Sequence, residues 1–319
     1  MTLRQGMVFS LILDTINRVF KVISVKNRIQ SRSIIIFAAI AVIAFESATP
    51  GTCSAEEKPC MKCHTKFREP AKSVHAALAS GCQTCHTTAK GKKHPVQKNS
   101  IILIQQLPGL CYNCHEASQF KGSSVYAPVE DGMCNACHDP HQSNYSSLLL
   151  KQSPVLCYTC HDKVKFEGKY GHTAVGMCVF CHNPHASNYS TILKKDVPDV
   201  CFTCHDEAQF KKKYVHPIVT IPNGCTLCHN PHANDNQSAL LRPTFDLCAS
   251  CHSGKADGRH ILAEMNLEGR EVIHPVKGVP DPAKPSGKLS CISCHEPHSS
   301  DFPKLFVEEN LCKRCHKRD

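Results

Sequence analysis

The sequence contains no tryptophan, and aromatic residues make up only 6% of its 319 positions. It also has no run of 18 or more apolar residues; the longest, Ile34 to Phe45, has 12. The second absence excludes a bundle of transmembrane helices. The first means that a chain of this length cannot fill its interior from its own side chains. Disulfides, metal ions or a bulky cofactor must supply the missing volume. The formal charge of +10 invites a nucleic-acid reading. The lysines, however, are scattered and no recognition motif accompanies them, so nucleic acid is set aside as a partner.

The apolar run is read as part of a secretory signal. Arg28 and Arg32 flank it on one side, and Cys53-Ser54-Ala55 has the small-x-Ala form of a cleavage site on the other. Residues 1–55 are therefore taken as leader and signal peptide and the protein as exported. Residues 1–27 are either upstream of the true start or an amphipathic leader. Cys53 is discarded by cleavage after Ala55, or else is a lipidated N-terminal Cys whose usual preceding Leu is missing.

What the sequence has in abundance is cysteine, 23 residues, and histidine, 21. Apart from Cys53, every cysteine belongs to a Cys-x-x-Cys pair, and each of the 11 pairs is followed at once by His. They are Cys60/Cys63/His64, Cys82/Cys85/His86, Cys111/Cys114/His115, Cys134/Cys137/His138, Cys157/Cys160/His161 and Cys178/Cys181/His182. The remainder are Cys201/Cys204/His205, Cys225/Cys228/His229, Cys248/Cys251/His252, Cys291/Cys294/His295 and Cys312/Cys315/His316.

Three chemistries compete for this pattern. A disulfide framework suits an exported chain but gives no reason for the His. Structural zinc uses Cys-x-x-Cys pairs but needs four ligands per ion and is indifferent to the residue after the second Cys. Covalent haem c needs all three residues at this spacing. Two thiols add to the vinyl groups of one porphyrin and the adjoining imidazole binds its iron. On a short helical turn positions i, i+3 and i+4 share a face, so all three groups meet the same flat disc. Eleven haem c groups, covalently attached, are therefore expected. With 264 residues from position 56 onward, each has about 24 residues of chain, too few to wrap it, so the haems must pack on one another and form the interior. Their propionates answer the basic surplus.

The motifs recur in pairs. First cysteines at Cys111, Cys157, Cys201 and Cys248 are separated by 46, 44 and 47 residues. The second motif of a unit is followed by x-Pro-His at His141, His185, His232 and His298, then by an apolar pair: Leu148-Leu149, Ile192-Leu193, Leu240-Leu241 or Leu305-Phe306. Such self-similarity indicates a stacked array. The units read as a divergent N-terminal one at 56–110, three repeats at 111–247, and a C-terminal three-motif unit at 248–319. The last is stretched by an insert at 253–290, in which Lys277 to Ser290 reads as a loop.

With these residues in view, the chain resembles the doubled Cys-x-x-Cys-His family of multihaem c-type cytochromes, which includes periplasmic decahaem proteins of metal-reducing bacteria and small electron donors to nitrite reductase. The resemblance covers about residues 60–316 and departs from the decahaem pattern in having 11 motifs. It implies a mostly irregular fold with short α-helices, an elongated array of dihaem repeats and little or no β-sheet. It also implies haems ligated by two histidines and electron transfer rather than substrate turnover. Expected partners are a quinol-oxidising membrane cytochrome and outer-membrane or extracellular cytochromes, in a periplasmic or outer-membrane setting, with a porin-like β-barrel or a filament as variants of the same arrangement.

Ten histidines remain as distal ligands: His75, His94, His141, His172, His185, His216, His232, His260, His274 and His298. Imidazole is a common axial partner of haem iron. Spacing does not say which of them serves which haem. Eleven motifs and ten such residues leave one iron short. The deficit falls where Tyr126 aligns with His216 (VYAPV against VHPIV). That iron is left with Met (Met133, Met177 and Met265 are at hand), Lys, Tyr, a neighbouring subunit or an open position. An open position is the sole feature favouring the second reading, a reductase of nitrite or sulfur oxyanions.

Overall fold

The computed structural model describes residues 59–262 and 273–316. The signal segment, Cys53 and Met265 lie outside the described residues. The chain divides into two units, residues 1–62 and 63–319; of the first, only the 3-10 turn Pro59–Lys62, which carries Cys60, is described.

In the second unit ten motifs sit on short helical turns. The turns are of 3-10 type at Cys82–Thr84, Cys134–Ala136, Cys157–Thr159, Cys201–Thr203, Gly224–Leu227, Cys291–Ser293 and Leu311–Arg314. They are α-helical at Gly109–Tyr112, Cys178–Cys181 and Thr244–Cys251. From the third motif onward the His amide donates to the first Cys carbonyl, at 2.9 Å in His115→Cys111 and 3.0 Å in His161→Cys157. That single bond draws both thiols and the imidazole onto one side of the turn. A second 3-10 turn often follows. Those at Lys163–Phe166 and Glu207–Phe210 are capped by Asp162 and Asp206, whose carboxylates accept from Val164 N and Ala208 N.

The strands among the described residues pair in two-stranded antiparallel ladders. Four of them share one design. Ser73–Val74 pairs with Gln142–Ser143, Ser124–Val125 with Ala186–Ser187, Tyr170–Gly171 with Ala233–Asn234, and Tyr214–Val215 with Ser299–Ser300. Each joins the stretch before one motif to the stretch after an x-Pro-His downstream. The approach is close. A Cβ on Gly122 would stand 2.3 Å from the Ser187 carbonyl oxygen, so only glycine fits there. Ala186, Ala233 and Ser299, small residues on the receiving strands, are buried at 4%, 4% and 0% exposure.

Little else is buried. The buried apolar residues among those described are Ala186, Val197, Ala233 and Leu289. Among the described residues the polypeptide alone forms no hydrophobic core, in line with the scarcity of aromatic bulk. The fold is irregular, with short helices and little sheet, as the motif density implied.

A recurrent clasp follows each x-Pro-His. Ser147-Leu148, Thr191-Ile192, Ser238-Ala239 and Lys304-Leu305 all adopt positive φ, between 52° and 60°. Such a pair of L-residues is costly, most of all for β-branched Thr191 and Ile192. It folds the apolar pair back so that Leu149, Leu193, Leu240 and Phe306 bridge to His138, His182, His229 and His295.

One expectation is corrected. The Pro/Gly-rich stretch read as a loop contains a hairpin, Pro280–Asp281 against Lys284–Lys288 with a bulge. Asp281, 2% exposed, anchors it by accepting hydrogen bonds from Ser293 Oγ at 2.7 Å and Ala283 N at 2.9 Å. Composition signalled a turn, but not the carboxylate that ties its strands down.

Candidate cofactor-binding sites

The histidines meet in pairs, each joining a motif His to one outside the motifs. His64 faces His94, His86 faces His141 and His115 faces His75, each with ring centroids 6.0 Å apart and planes within 10°. His138 faces His185 at 5.9 Å, His182 faces His232 at 6.2 Å and His229 faces His298 at 5.9 Å, tilted by 29° to 30°. His205 faces His172 at 6.1 Å and His252 faces His216 at 6.0 Å, at 36° and 34°. His316 faces His274 at 6.1 Å, nearly perpendicular at 77°. His260 lies within electrostatic reach of His295: burial first, then Lys255 and His295, hold its pKa below the usual imidazole value.

Two imidazoles whose nitrogens each stand roughly 2 Å from one metal ion have centroids about 6 Å apart. The pairs therefore have the spacing of two axial ligands on opposite sides of a single iron. Burial also lowers the pKa of His86, His185, His216, His232 and His298, which keeps them neutral with a lone pair to offer a metal.

The four ladders set this pairing. The amides of His75, Tyr126, His172 and His216 donate to the carbonyls of His141, His185, His232 and His298, at 2.8 to 2.9 Å. Each joint thus places two residues that face different motifs. At the fourth joint, for example, His216 turns to His252 and His298 to His229. Sequence spacing could not reveal this, because the partners come from different repeats.

Second hydrogen bonds orient the rings. Nδ1 of His138, His182, His229 and His295 meets the carbonyl oxygens of Ser147, Thr191, Ser238 and Lys304, at 2.7 to 3.0 Å. These are the strained residues of the clasp. With Nδ1–H donating there, Nε2 is left free for a metal. Nδ1 of His75 and His216 meets the carbonyl oxygens of Pro140 and Pro297 in the same manner.

The few aromatics are concentrated here, and the sequence reading had not singled them out. Phe67, Phe120, Phe166 and Phe210 pack against His141, His185, His232 and His298, with centroids 4.9 to 5.2 Å apart. Behind three of them stand Tyr112, Tyr158 and Phe202. The usable signal was Phe five residues beyond the motif His in three of the four cases, a shorter spacing applying only at Phe67.

The motifs themselves adjoin in sequence order. The thiols of Cys111 and Cys134, Cys157 and Cys178, Cys201 and Cys225, and Cys248 and Cys291 hydrogen-bond each other. Electrostatic contact links Cys85 to Cys111, Cys137 to Cys160, Cys181 to Cys201, Cys228 to Cys251 and Cys294 to Cys315. Burial above all, and these neighbours next, push the Cys111 thiol up to about 11. The succession from the second motif to the eleventh is unbroken.

Not every predicted cofactor-binding cysteine joins this succession. Cys63, Cys114 and Cys204 are the second cysteines of the first, third and seventh motifs. All three are exposed. The reason lies in where their turns end. Each is the second Cys of its motif, and the residues on either side, Lys62 and His64, Asn113 and His115, Thr203 and His205, are exposed as well. The first cysteine of the third and seventh motifs hydrogen-bonds a thiol of the next motif, while Cys114 and Cys204 bond through their amides to the Cys111 and Cys201 carbonyls at 3.2 and 3.1 Å and close the turn. Cys60 and Cys312 are exposed in the same way. Motif spacing assigns these thiols, like those of the other motifs, to a porphyrin.

At His161 the facing group is Tyr126, with centroids 6.1 Å apart and its hydroxyl 2.9 Å from Nε2. Met133 and Met177 precede the turns of the fourth and sixth motifs and are about half exposed. The fold brings the tyrosine, rather than either methionine, to His161.

Zinc does not fit this arrangement. Among the described residues no three His, Cys, Asp or Glu side chains converge on a point that could hold a metal ion. Two thiols and an imidazole on one side of a turn, with a second donor facing the first, fit a porphyrin bound through thioethers.

The doubled CXXCH motif matches residues 75–120, 126–166, 171–210, 216–257 and 284–319, well over half of the chain. The chain belongs to this family. It is a multihaem c-type cytochrome, and its motifs indicate covalently bound haem c. No curated protein matches it. The family windows group Cys82 with Cys111, Cys134 with Cys157, Cys178 with Cys201, Cys225 with Cys248, and Cys291 with Cys312. That grouping is one motif out of step with the units counted from Cys111. In this register His75, Tyr126, His172 and His216 each face the second motif of their own window, and His185, His232 and His298 each face the first motif of the window before.

Proposed function

We propose that the chain is an electron conduit carrying 11 haem c groups, each held by one motif. The observation that supports this reading best is the unbroken adjacency of motifs from Cys85 to Cys315, because electrons hop only between closely spaced cofactors. The protein's task is then to fix the spacing and to tune each haem through ligand, burial and nearby charge. The distal ligands are His94, His141, His75 and His185 for the first four haems. They are His232, His172, His298, His216, His260 and His274 for the sixth to the eleventh.

The conduit is exported and works in anaerobic or extracellular respiration. It takes electrons from a quinol-oxidising membrane cytochrome and passes them to outer-membrane or extracellular acceptors, directly or through a porin-like barrel. It is an electron carrier with no substrate of its own. The reductase reading has less support, because the position opposite His161 holds a side chain instead of open space.

Intact mass of the protein matured with haem tests the count: the expected result is one porphyrin per motif. Stepwise electrochemical reduction tests the function. Overlapping one-electron waves, and rapid oxidation by a second multihaem cytochrome, are expected. Turnover of nitrite or a sulfur oxyanion at rates comparable to electron exchange would sink the conduit in favour of the enzyme.

A further inference from the structure

The four joints are copies of one device, and one copy is altered. At three of them the residue that follows the first strand is His75, His172 or His216. Its amide is held by the carbonyl of the downstream x-Pro-His, and its ring faces a motif His. At the remaining joint the same slot holds Tyr126. Its amide donates to His185 O at 2.9 Å, its strand Ser124–Val125 keeps the shared register, and its ring faces His161 with planes 18° apart. The backbone delivers a tyrosine where the other joints deliver an imidazole.

The phenol reaches further than an imidazole, so its oxygen touches His161 Nε2 at 2.9 Å. A metal bound by His161 takes the place of that hydrogen bond and meets the phenol oxygen first. All ten histidines outside the motifs already face, or lie beside, other motif histidines. Within this chain none is left for His161.

We infer that Tyr126 is the distal ligand of the haem at Cys157, Cys160 and His161, which makes that haem redox-distinct from its bis-histidine neighbours. The inference rests on the multihaem reading above. On binding, the phenol loses its proton to solvent, which Tyr126 touches, and its oxygen bonds to ferric iron without change in oxidation state. An anionic oxygen donor favours the ferric form, and axial-ligand identity is a principal lever on haem potential. This haem, fifth of 11, is then the hardest to reduce. It parts the conduit into four haems on one side and six on the other, and the two sets fill with electrons separately.

The test uses full-length, haem-loaded protein and its Tyr126→Phe and Tyr126→His variants. Resonance Raman spectra of the ferric protein, excited in the visible, are expected to show the ring vibrations of an iron-bound phenolate, lost in both variants. Cyanide is expected to bind ferric Tyr126→Phe at one site per chain, and to bind neither wild type nor Tyr126→His under the same conditions. The lowest reduction wave should move up among the others in Tyr126→His. Absence of phenolate vibrations, or cyanide uptake by wild type as fast as by Tyr126→Phe, overturns the assignment. Peptide mapping of the same samples separates the two readings. Porphyrin on Cys157 and Cys160 without phenolate signals overturns this inference alone. No porphyrin there overturns it together with the count of 11.

Discussion

The interior joints and the C-terminal insert solve the same problem by different means. In the interior, facing residues are delivered by paired strands, one from each side of a ladder, and the facing rings lie 8° to 36° from parallel. In the insert both His260, on the helix Arg259–Leu262, and His274, some way beyond it, come from one segment. There the ladder is replaced by a tight turn. Gly258 adopts φ +81°, and a Cβ at that position would stand 1.9 Å from the His274 carbonyl oxygen. Nδ1 of His274 meets the adjacent Pro275 carbonyl oxygen at 2.8 Å, and the ring lies 77° from His316. The ladders keep every copy within 36° of parallel; the turn in the insert sets a near-perpendicular angle. Since the mutual angle of two axial imidazoles governs the splitting of the iron d orbitals, the two regions should differ spectroscopically.

The largest expected effect comes from removing one histidine from each region. His274→Ala and His216→Ala should each convert one low-spin iron to high spin. Only His274→Ala should abolish the highly anisotropic electron spin resonance signal of perpendicular ligands; if both variants abolish it, the regional difference is not real. Next is the turn itself. Gly258→Ala meets both a forbidden contact and left-handed backbone, and should lower stability by about 3 kcal/mol, read from chemical denaturation with loss of the His316 site. Gly254→Ala, with no atom within 4 Å of its new Cβ, should change stability by less than about 1 kcal/mol.

A smaller effect separates two copies of the clasp. Thr191→Gly should stabilise by about 1 kcal/mol by releasing a β-branched residue from positive φ. Lys304→Gly, at φ 56° in the C-terminal copy, should gain less, because an unbranched side chain tolerates that region better. Equal gains would mean that branching contributes nothing. The smallest effect is on surface ion pairs. Lys163–Glu167, 2.8 Å apart and more than half exposed, should contribute almost nothing to stability, because solvent screens the pair. Glu167→Gln should leave the midpoint of unfolding nearly unchanged.

Much of this molecule can be read from its letters because one short motif carries so much of the chemistry. Cys-x-x-Cys-His dictates a turn wherever it occurs, and the turns at Cys134–Ala136 and Cys291–Ser293 follow from spacing alone. The alignment of Tyr126 with His216 was equally visible. The matching of partners was not. His75 and His141, which face different motifs, are set side by side by a ladder of two residues per strand, too short for any period in the sequence to betray. The hairpin at 280–288 stayed hidden for a related reason: Pro and Gly mark where a chain turns, whereas the Asp281–Ser293 bond that closes it spans 12 residues. Phe120, Phe166 and Phe210 are hard to read for another reason: a phenylalanine five residues past a motif His has no chemistry of its own, and the His185, His232 and His298 rings it packs on come from later repeats.

The crossing of partners between repeats has a bearing on how the molecule is built. A chain made from its N-terminus exposes His138 well before His185, and His182 well before His232. These sites stand half-finished until the following repeat emerges, whereas His205 and His252 find His172 and His216 already in place. Maturation should therefore advance along the protein in alternating steps, one site closing at once and its neighbour waiting its turn.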